Sequence, residues 1–130
     1  MNVVIDTNVL VSALMNPNGS PARILALVLN GKIKMLYDNR ILFEYTRVLL
    51  RQEFGFESEM VNNLLNYCKQ SGEHIYADSI RANFTDESDK KFYEVYKSGK
   101  AQYLITGNIR HFPKEKTILT PKDFLEIFET

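Results

Sequence analysis

With one cysteine, no net charge and no long apolar run, the sequence closes off several classes of protein before any motif is read. Cys68 alone cannot form an intramolecular disulfide, so a disulfide-stapled secreted fold is excluded and a reducing cytosol is the expected compartment. Sixteen basic and sixteen acidic residues leave a formal charge of zero. Bulk charge therefore calls for no polyanionic partner, and any contact with nucleic acid has to come from local placement of charge. No stretch approaches the ~20 apolar residues of a membrane span. Met1-Asn2 runs straight into apolar residues without a basic region or a small-residue cleavage site, so no secretory signal is expected.

What is present is ordinary globular usage, 45% hydrophobic and 25% charged over 130 residues. That length suits one domain over residues 1–130, with a core large enough to stabilise it. Val3-Val4-Ile5 is a run of β-branched residues that reads as a strand buried on both faces, as in the centre of a parallel sheet. Val9, Leu10, Ala13 and Leu14 suggest helical turns, and residues 16–21 a loop. Ser20 and Pro21 read as cap and first residue of a helix whose stripe is Ile24, Leu25, Val28 and Leu29, ended by Asn30-Gly31. Further strands are predicted at 33–37, weakly at 73–76, then at 103–106 and 117–119. Helices are predicted at 40–52, with Asp38 or Asn39 as cap, and at 57–70, with Met60, Leu64, Leu65 and Cys68 inward. Others follow at 89–98, closed by Gly99, and from Pro121 to Phe128. Alternation of this kind implies a parallel sheet covered on both faces by right-handed crossovers.

Polar residues on apolar stripes are the candidates for chemistry. Asp6 ends the first strand, where ligands bind in open α/β sheets. Glu44 shares a helix face with Ile41 and Val48. It either pairs with Arg40 or Arg47 on the surface or meets a cation or buried arginine. Asp89 precedes Phe92 and Tyr96 on an inward stripe, with Asp86 a turn earlier, and both positions also suit helix capping. Asn108, in the turn after the fourth strand, offers a neutral carbonyl oxygen to a metal. Asp6, Glu44 and Asp89, with Asp86 and Asn108 as further candidates, come from separate elements able to converge on one crevice. Clustered carboxylates raise one another's pKa unless a cation is present. Oxygen-only donors favour Mg²⁺ or Mn²⁺, and such sites suit phosphodiester hydrolysis by metal-activated water.

The order Val4-Ile5-Asp6-Thr7-Asn8-Val9-Leu10, Glu44 within Leu42-Phe43-Glu44-Tyr45-Thr46-Arg47-Val48-Leu49, Asp89 before Phe92, Tyr103-Leu104-Ile105-Thr106-Gly107-Asn108 and His111-Phe112-Pro113 resembles the PIN domain. It is similar in particular to small stand-alone bacterial and archaeal PIN proteins assigned as toxins of toxin–antitoxin pairs. The resemblance runs from Met1 to about Pro121. It implies a three-layer α/β/α sandwich with a mostly parallel sheet of about five strands. It also implies a Mg²⁺- or Mn²⁺-dependent endoribonuclease acting on RNA, frequent homodimers and an antitoxin protein as partner. By position it makes Asp6, Glu44 and Asp89 the acidic ligands, with Thr7, Asn8 and Thr106 orienting them as a second layer. Asn108 stands where many members carry a fourth Asp, a departure that bears on a second metal, and Asp86 is placed to compensate.

Other residues read more plainly. Cys68 falls in the core, and His74 and His111 lack partners at zinc-ligand spacing. Lys90, Lys91, Lys97, Lys100, Arg110, Lys114 and Lys116 make the segment after Asp89 locally basic. Lys90, Lys91 and Arg110 are the candidates there to guide RNA phosphates. Two rival readings compete with the nuclease. A phosphotransferase of the haloacid-dehalogenase type also opens with a strand ending in Asp, but wants a second acid two residues on, where this chain has Asn8. A non-catalytic PIN-like binding module would fit Asn108, but not the retained Asp6, Glu44 and Asp89.

Overall fold

The structure, a computed structural model, describes residues 1–130. Five parallel strands form one sheet: β1 (Asn2–Ile5), β2 (Lys34–Tyr37), β3 (Glu73–His74), β4 (Tyr103–Ile105) and β5 (Ile118–Leu119), in the order β3-β2-β1-β4-β5. The register sets Val3 beside Met35 on one side and Val3, Val4 and Ile5 beside Tyr103, Leu104 and Ile105 on the other. Val3, Val4, Ile5, Leu104 and Ile105 are wholly buried, as the β-branched run requires of a strand covered on both faces. The sequence expectation of an α/β/α sandwich with a parallel sheet holds.

Six helices cover the sheet: α1 (Thr7–Met15), α2 (Ser20–Leu29), α3 (Asn39–Leu49), α4 (Ser58–Ser71), α5 (Lys90–Ser98) and α6 (Pro121–Phe128). α5 packs across β1, β2 and β4, and α4 packs against β2 and β3. Thirty buried apolar residues form one continuous core. None of the helices is long and apolar enough to cross a membrane.

Several local expectations need correction. α2 begins at Ser20 itself, after an extended Gly19, and no side chain caps it. Pro21 suffices there, because its missing N–H is one the first turn leaves unbonded anyway. α3 stops at Leu49 rather than 52. Arg51 turns extended and residues 52–54 make a separate 3₁₀ turn, which brings Phe54 and Phe56 into a stack with centroids 5.5 Å apart. On α4 the inward stripe is Val61, Leu64, Leu65 and Cys68, with Met60 outward. β3 keeps only two residues, and Ile75 N–H adds one last bond to the Tyr37 carbonyl at 2.8 Å. Gly99 has ordinary helical dihedrals, and Lys100 takes the left-handed conformation instead. Glycine is needed at 99 for space: a Cβ there would stand 2.8 Å from Leu36 Cδ1 and 2.9 Å from the Val95 carbonyl oxygen.

Candidate active site

The carboxyl ends of β1, β2 and β4 deliver Asp6, Asp38 and Thr106 to one edge of the sheet, and all three are buried. Asp6 extends the ladder through its N–H to the Ile105 carbonyl at 2.9 Å, then opens α1 without capping it through its side chain. Its carboxylate instead accepts from the Thr106 hydroxyl at 2.8 Å and from the Asn8 amide at 3.4 Å, both on Oδ2. These partners are themselves held. Thr106 Oγ1 accepts from the Asn108 N–H at 3.0 Å, and Asn8 Oδ1 accepts from the Gly107 N–H at 3.1 Å. The turn after β4 thus locks the residues that orient Asp6. No cation pairs with it. Burial, with the charges of Asp89 and Glu44 adding to it against the Thr106 hydrogen bond, raises the Asp6 carboxyl to about 6.

Glu44 reaches the same place from α3. One oxygen accepts from the Thr7 hydroxyl and the other meets Lys91 Nζ at 2.7 Å, both side chains being largely covered. The surface pairing with Arg40 or Arg47 does not form, because Arg40 is taken by Asp38 and by Glu94, each at 2.8 Å. Glu94 is a buried acid on α5 that sequence reading missed. Burial alone would raise its pKa, but Arg40 and the Ile80 N–H draw it below the usual range. The signal was its place among Phe92, Tyr93, Val95 and Tyr96, an apolar run that leaves no solvent face.

Asp89 arrives through a 3₁₀ turn leading into α5 and makes no capping bond. Its Oδ2 lies 3.2 Å from His111 Nδ1, a contact between residues 22 positions apart that no spacing rule anticipates. Burial and the neighbouring charge of Asp86 raise its carboxyl above the ordinary value, against the His111 contact. Asp86 is fully exposed and caps the turn, accepting from the Ser88 N–H at 2.9 Å and the Ser88 hydroxyl at 2.7 Å, bonds that lower its pKa. Asn108 is exposed and borders, with Asn8, a hollow of about 220 Å³ next to the main crevice.

That crevice, about 440 Å³, is lined by Asp6, Asn8 and Glu44 and also by Arg47, Arg51 and Phe54. Neither arginine was among the sequence candidates for phosphate contact: Arg47 stands one turn after Glu44 on α3, a spacing that could have shown it, whereas Arg51 lies beyond the helix and reaches the crevice from extended backbone. Of the three basic candidates named from sequence, Lys91 is held by Glu44. Lys90 acts on Glu94, and Arg110 borders a separate hollow with Phe112 and Glu115.

No three His, Cys, Asp or Glu side chains stand in a geometry that closes on a metal ion. Glu44 faces Lys91, and Asp89 faces His111. The donor chemistry nevertheless fits a hard divalent cation: a buried carboxylate without a cationic partner, strained by two neighbouring acids, and oxygen donors throughout.

A parallel sheet sandwiched by helices, with an acid-lined crevice at its carboxyl edge, places the protein among the three-layer α/β folds that bind their ligands at that edge. Sequence comparison then gives the family. Residues 2–110 match the PIN domain, and the chain belongs to the PIN domain family. A relative from Methanocaldococcus jannaschii, itself uncharacterized, is 34% identical over an alignment of 148 positions that covers 99% of this chain and 92% of the relative. PIN domains are generally nucleases, bind RNA and generally use divalent metals.

Proposed function

We propose that the protein is a Mg²⁺- or Mn²⁺-dependent endoribonuclease with its reaction centre at Asp6. The observation that carries this reading is the buried, unpaired Asp6 carboxylate, raised to about 6 by burial and by Asp89 and Glu44. Asp6, Glu44 and Asp89 would hold the cation, with Asn108 beside them and Asp86 at the rim. When bound, the cation neutralises the acids as a phosphodiester approaches and lowers the cost of deprotonating water. Thr106 and Asn8 fix the Asp6 carboxylate, whereas Glu44 would leave Lys91 and Asp89 would leave His111 to meet the cation. Arg47 and Arg51 line the crevice and are placed to bind substrate phosphates. Lys91 is the counterion Glu44 uses when no other cation is there.

Purified protein is expected to cleave RNA with Mg²⁺ or Mn²⁺ and to lose this in EDTA. Asp6→Asn abolishes cleavage, and a variant that cleaves like the parent would show the site is elsewhere. The binding-module reading draws on Asn108 and on the Lys91–Glu44 pair. Asn108→Asp separates the two, since a gain in cleavage marks a weakened nuclease and no cleavage in either form favours the module. At position 8, where a haloacid-dehalogenase phosphatase wants an acid, the Asn8 side chain is spent bridging Asp6 and Gly107. A toxin role with an antitoxin partner, a homodimeric state and a cytoplasmic site of action complete the reading on resemblance. Induced expression should arrest growth with Asp6 intact and spare it with Asp6→Asn.

A further inference from the structure

The crevice at Asp6 does not end at Glu44. A hollow of about 470 Å³ adjoins it, sharing Glu44, Arg47 and Ser88. A third, of about 240 Å³, adjoins the second through Asn39 and Arg40 and extends to His74–Ala77. Together they form one trough along the carboxyl edge of the sheet, from β1 past β2 to the end of β3.

Two aromatic side chains project into solvent from this trough. Phe43 is 70% exposed on α3, and Tyr76 is 91% exposed just beyond β3. Tyr76 is braced rather than loose: its ring contacts His74 edge-on at 4.7 Å, and His74 is held by Tyr37 and by Asn39 Oδ1 at 3.0 Å. Guanidinium groups lie between and beyond the rings. Arg47 and Arg51 form no ion pair with any acid, and Arg40 remains half exposed despite its two. Exposed rings alternating with arginines suit an unpaired nucleotide strand, whose bases stack on aromatics while phosphates meet cations. The two rings do not merge into one apolar patch: Phe43 and Tyr76 line different hollows, with polar Asn39 and Arg40 shared between them.

We propose that this trough binds the single-stranded nucleic acid flanking the cleaved phosphodiester, with Phe43 and Tyr76 each stacking one unpaired base and Arg40, Arg47 and Arg51 holding phosphates. That the strand leads to Asp6 rests on the nuclease reading; the contacts themselves do not. Binding of a fluorescein-labelled unpaired RNA of about a dozen nucleotides, within the range that small single-strand modules cover, is measured by anisotropy in EDTA. Phe43→Ala and Tyr76→Ala are each expected to weaken it by about 5- to 100-fold. Phe43→Tyr and Tyr76→Phe should retain it, and binding of a duplex of equal length should change by less than about two-fold, since duplex affinity comes from phosphates. Parent-like binding by the Phe43→Ala/Tyr76→Ala double variant overturns the proposal. So does an equal loss for duplex and unpaired strand, or a parent dimer that these substitutions dissociate in sedimentation, which would assign the rings to a second copy. Because no turnover is involved, the two readings fail separately. Aromatic-dependent binding without cleavage leaves the trough standing, whereas cleavage without aromatic-dependent binding leaves only the nuclease.

Discussion

Asp6→Asn should make the metal-free protein more stable while removing its activity. The Asp6 carboxyl titrates at about 6 in the fold against 3.8 when unburied. That rise of about two pH units makes its ionised form about 3 kcal/mol costlier in the native state than in the unfolded chain. The sign follows from proton counting. Between about pH 4 and 6 the folded protein holds the Asp6 proton that the unfolded chain has released, so stability falls as pH rises through that window. Above it the whole cost is present. Asn cannot ionise, and its carbonyl oxygen can still accept from Thr106 and Asn8. In EDTA at pH 7.5 the variant should therefore gain up to about 3 kcal/mol, or about 10 °C in Tm for a chain of this size. At pH 4 the gain should vanish. Thermal melts of both proteins across pH 4–8 in EDTA decide it. A variant melting no higher than the parent at pH 7.5, or a gain that does not change with pH, refutes the view that Asp6 is held ionised against its surroundings. Excess Mn²⁺ should then close the gap, by stabilising the parent more than the variant.

Other residues give independent tests. Lys91→Met leaves Glu44 without its ammonium, and should cost about 1–2 kcal/mol in EDTA. It should also enlarge the Tm gain from Mn²⁺, because a competing cation is gone; an unchanged gain would show that Lys91 and the metal do not share Glu44. Arg40→Met strands the buried Glu94 carboxylate and should cost about 2 kcal/mol in urea melts at pH 7, below the ~3–5 kcal/mol of a fully buried pair because Arg40 is half exposed. Glu94 titrates below its ordinary 4.5, so the pair's stabilisation is present above that value and is lost as pH falls through the lowered one. The deficit should shrink accordingly in acid. Gly72→Ala would put a Cβ 2.5 Å from the Met35 carbonyl oxygen and 2.6 Å from that of Cys68, both rigid backbone, and should cost about 2–3 kcal/mol by denaturant unfolding.

How far the sequence could be read depends on how local each cause is. Val3-Val4-Ile5 announced a central strand because burial on both faces needs uninterrupted apolar residues, and Pro121 marked the start of α6 because its fixed φ suits a first turn. Other details were misplaced. α3 ends where Arg51 turns extended and residues 52–54 make their own turn, and on α4 the inward stripe is the i, i+3, i+4, i+7 set Val61, Leu64, Leu65 and Cys68 rather than one that starts at Met60. Gly99 looked like a left-handed stop, but its reason is Leu36 across the core.

The candidate site divides in the same way. Asp6, Glu44 and Asp89 stood out because a carboxylate on an apolar stripe conflicts with its surroundings, and that conflict is written in a few consecutive residues. Their partners are not. Thr106 lies 100 residues from Asp6, Lys91 meets Glu44 across two helices, and His111 meets Asp89 across the turn after β4. Arg40 chose Glu94, 54 residues away, over the acid four positions along its own helix. The sequence by itself determined which elements form and which acids are out of place, since both follow from neighbours along the chain. Only the tertiary structure decided how each charge is answered, because ion pairs and hydrogen bonds reach a few ångströms in space and take no account of separation in sequence.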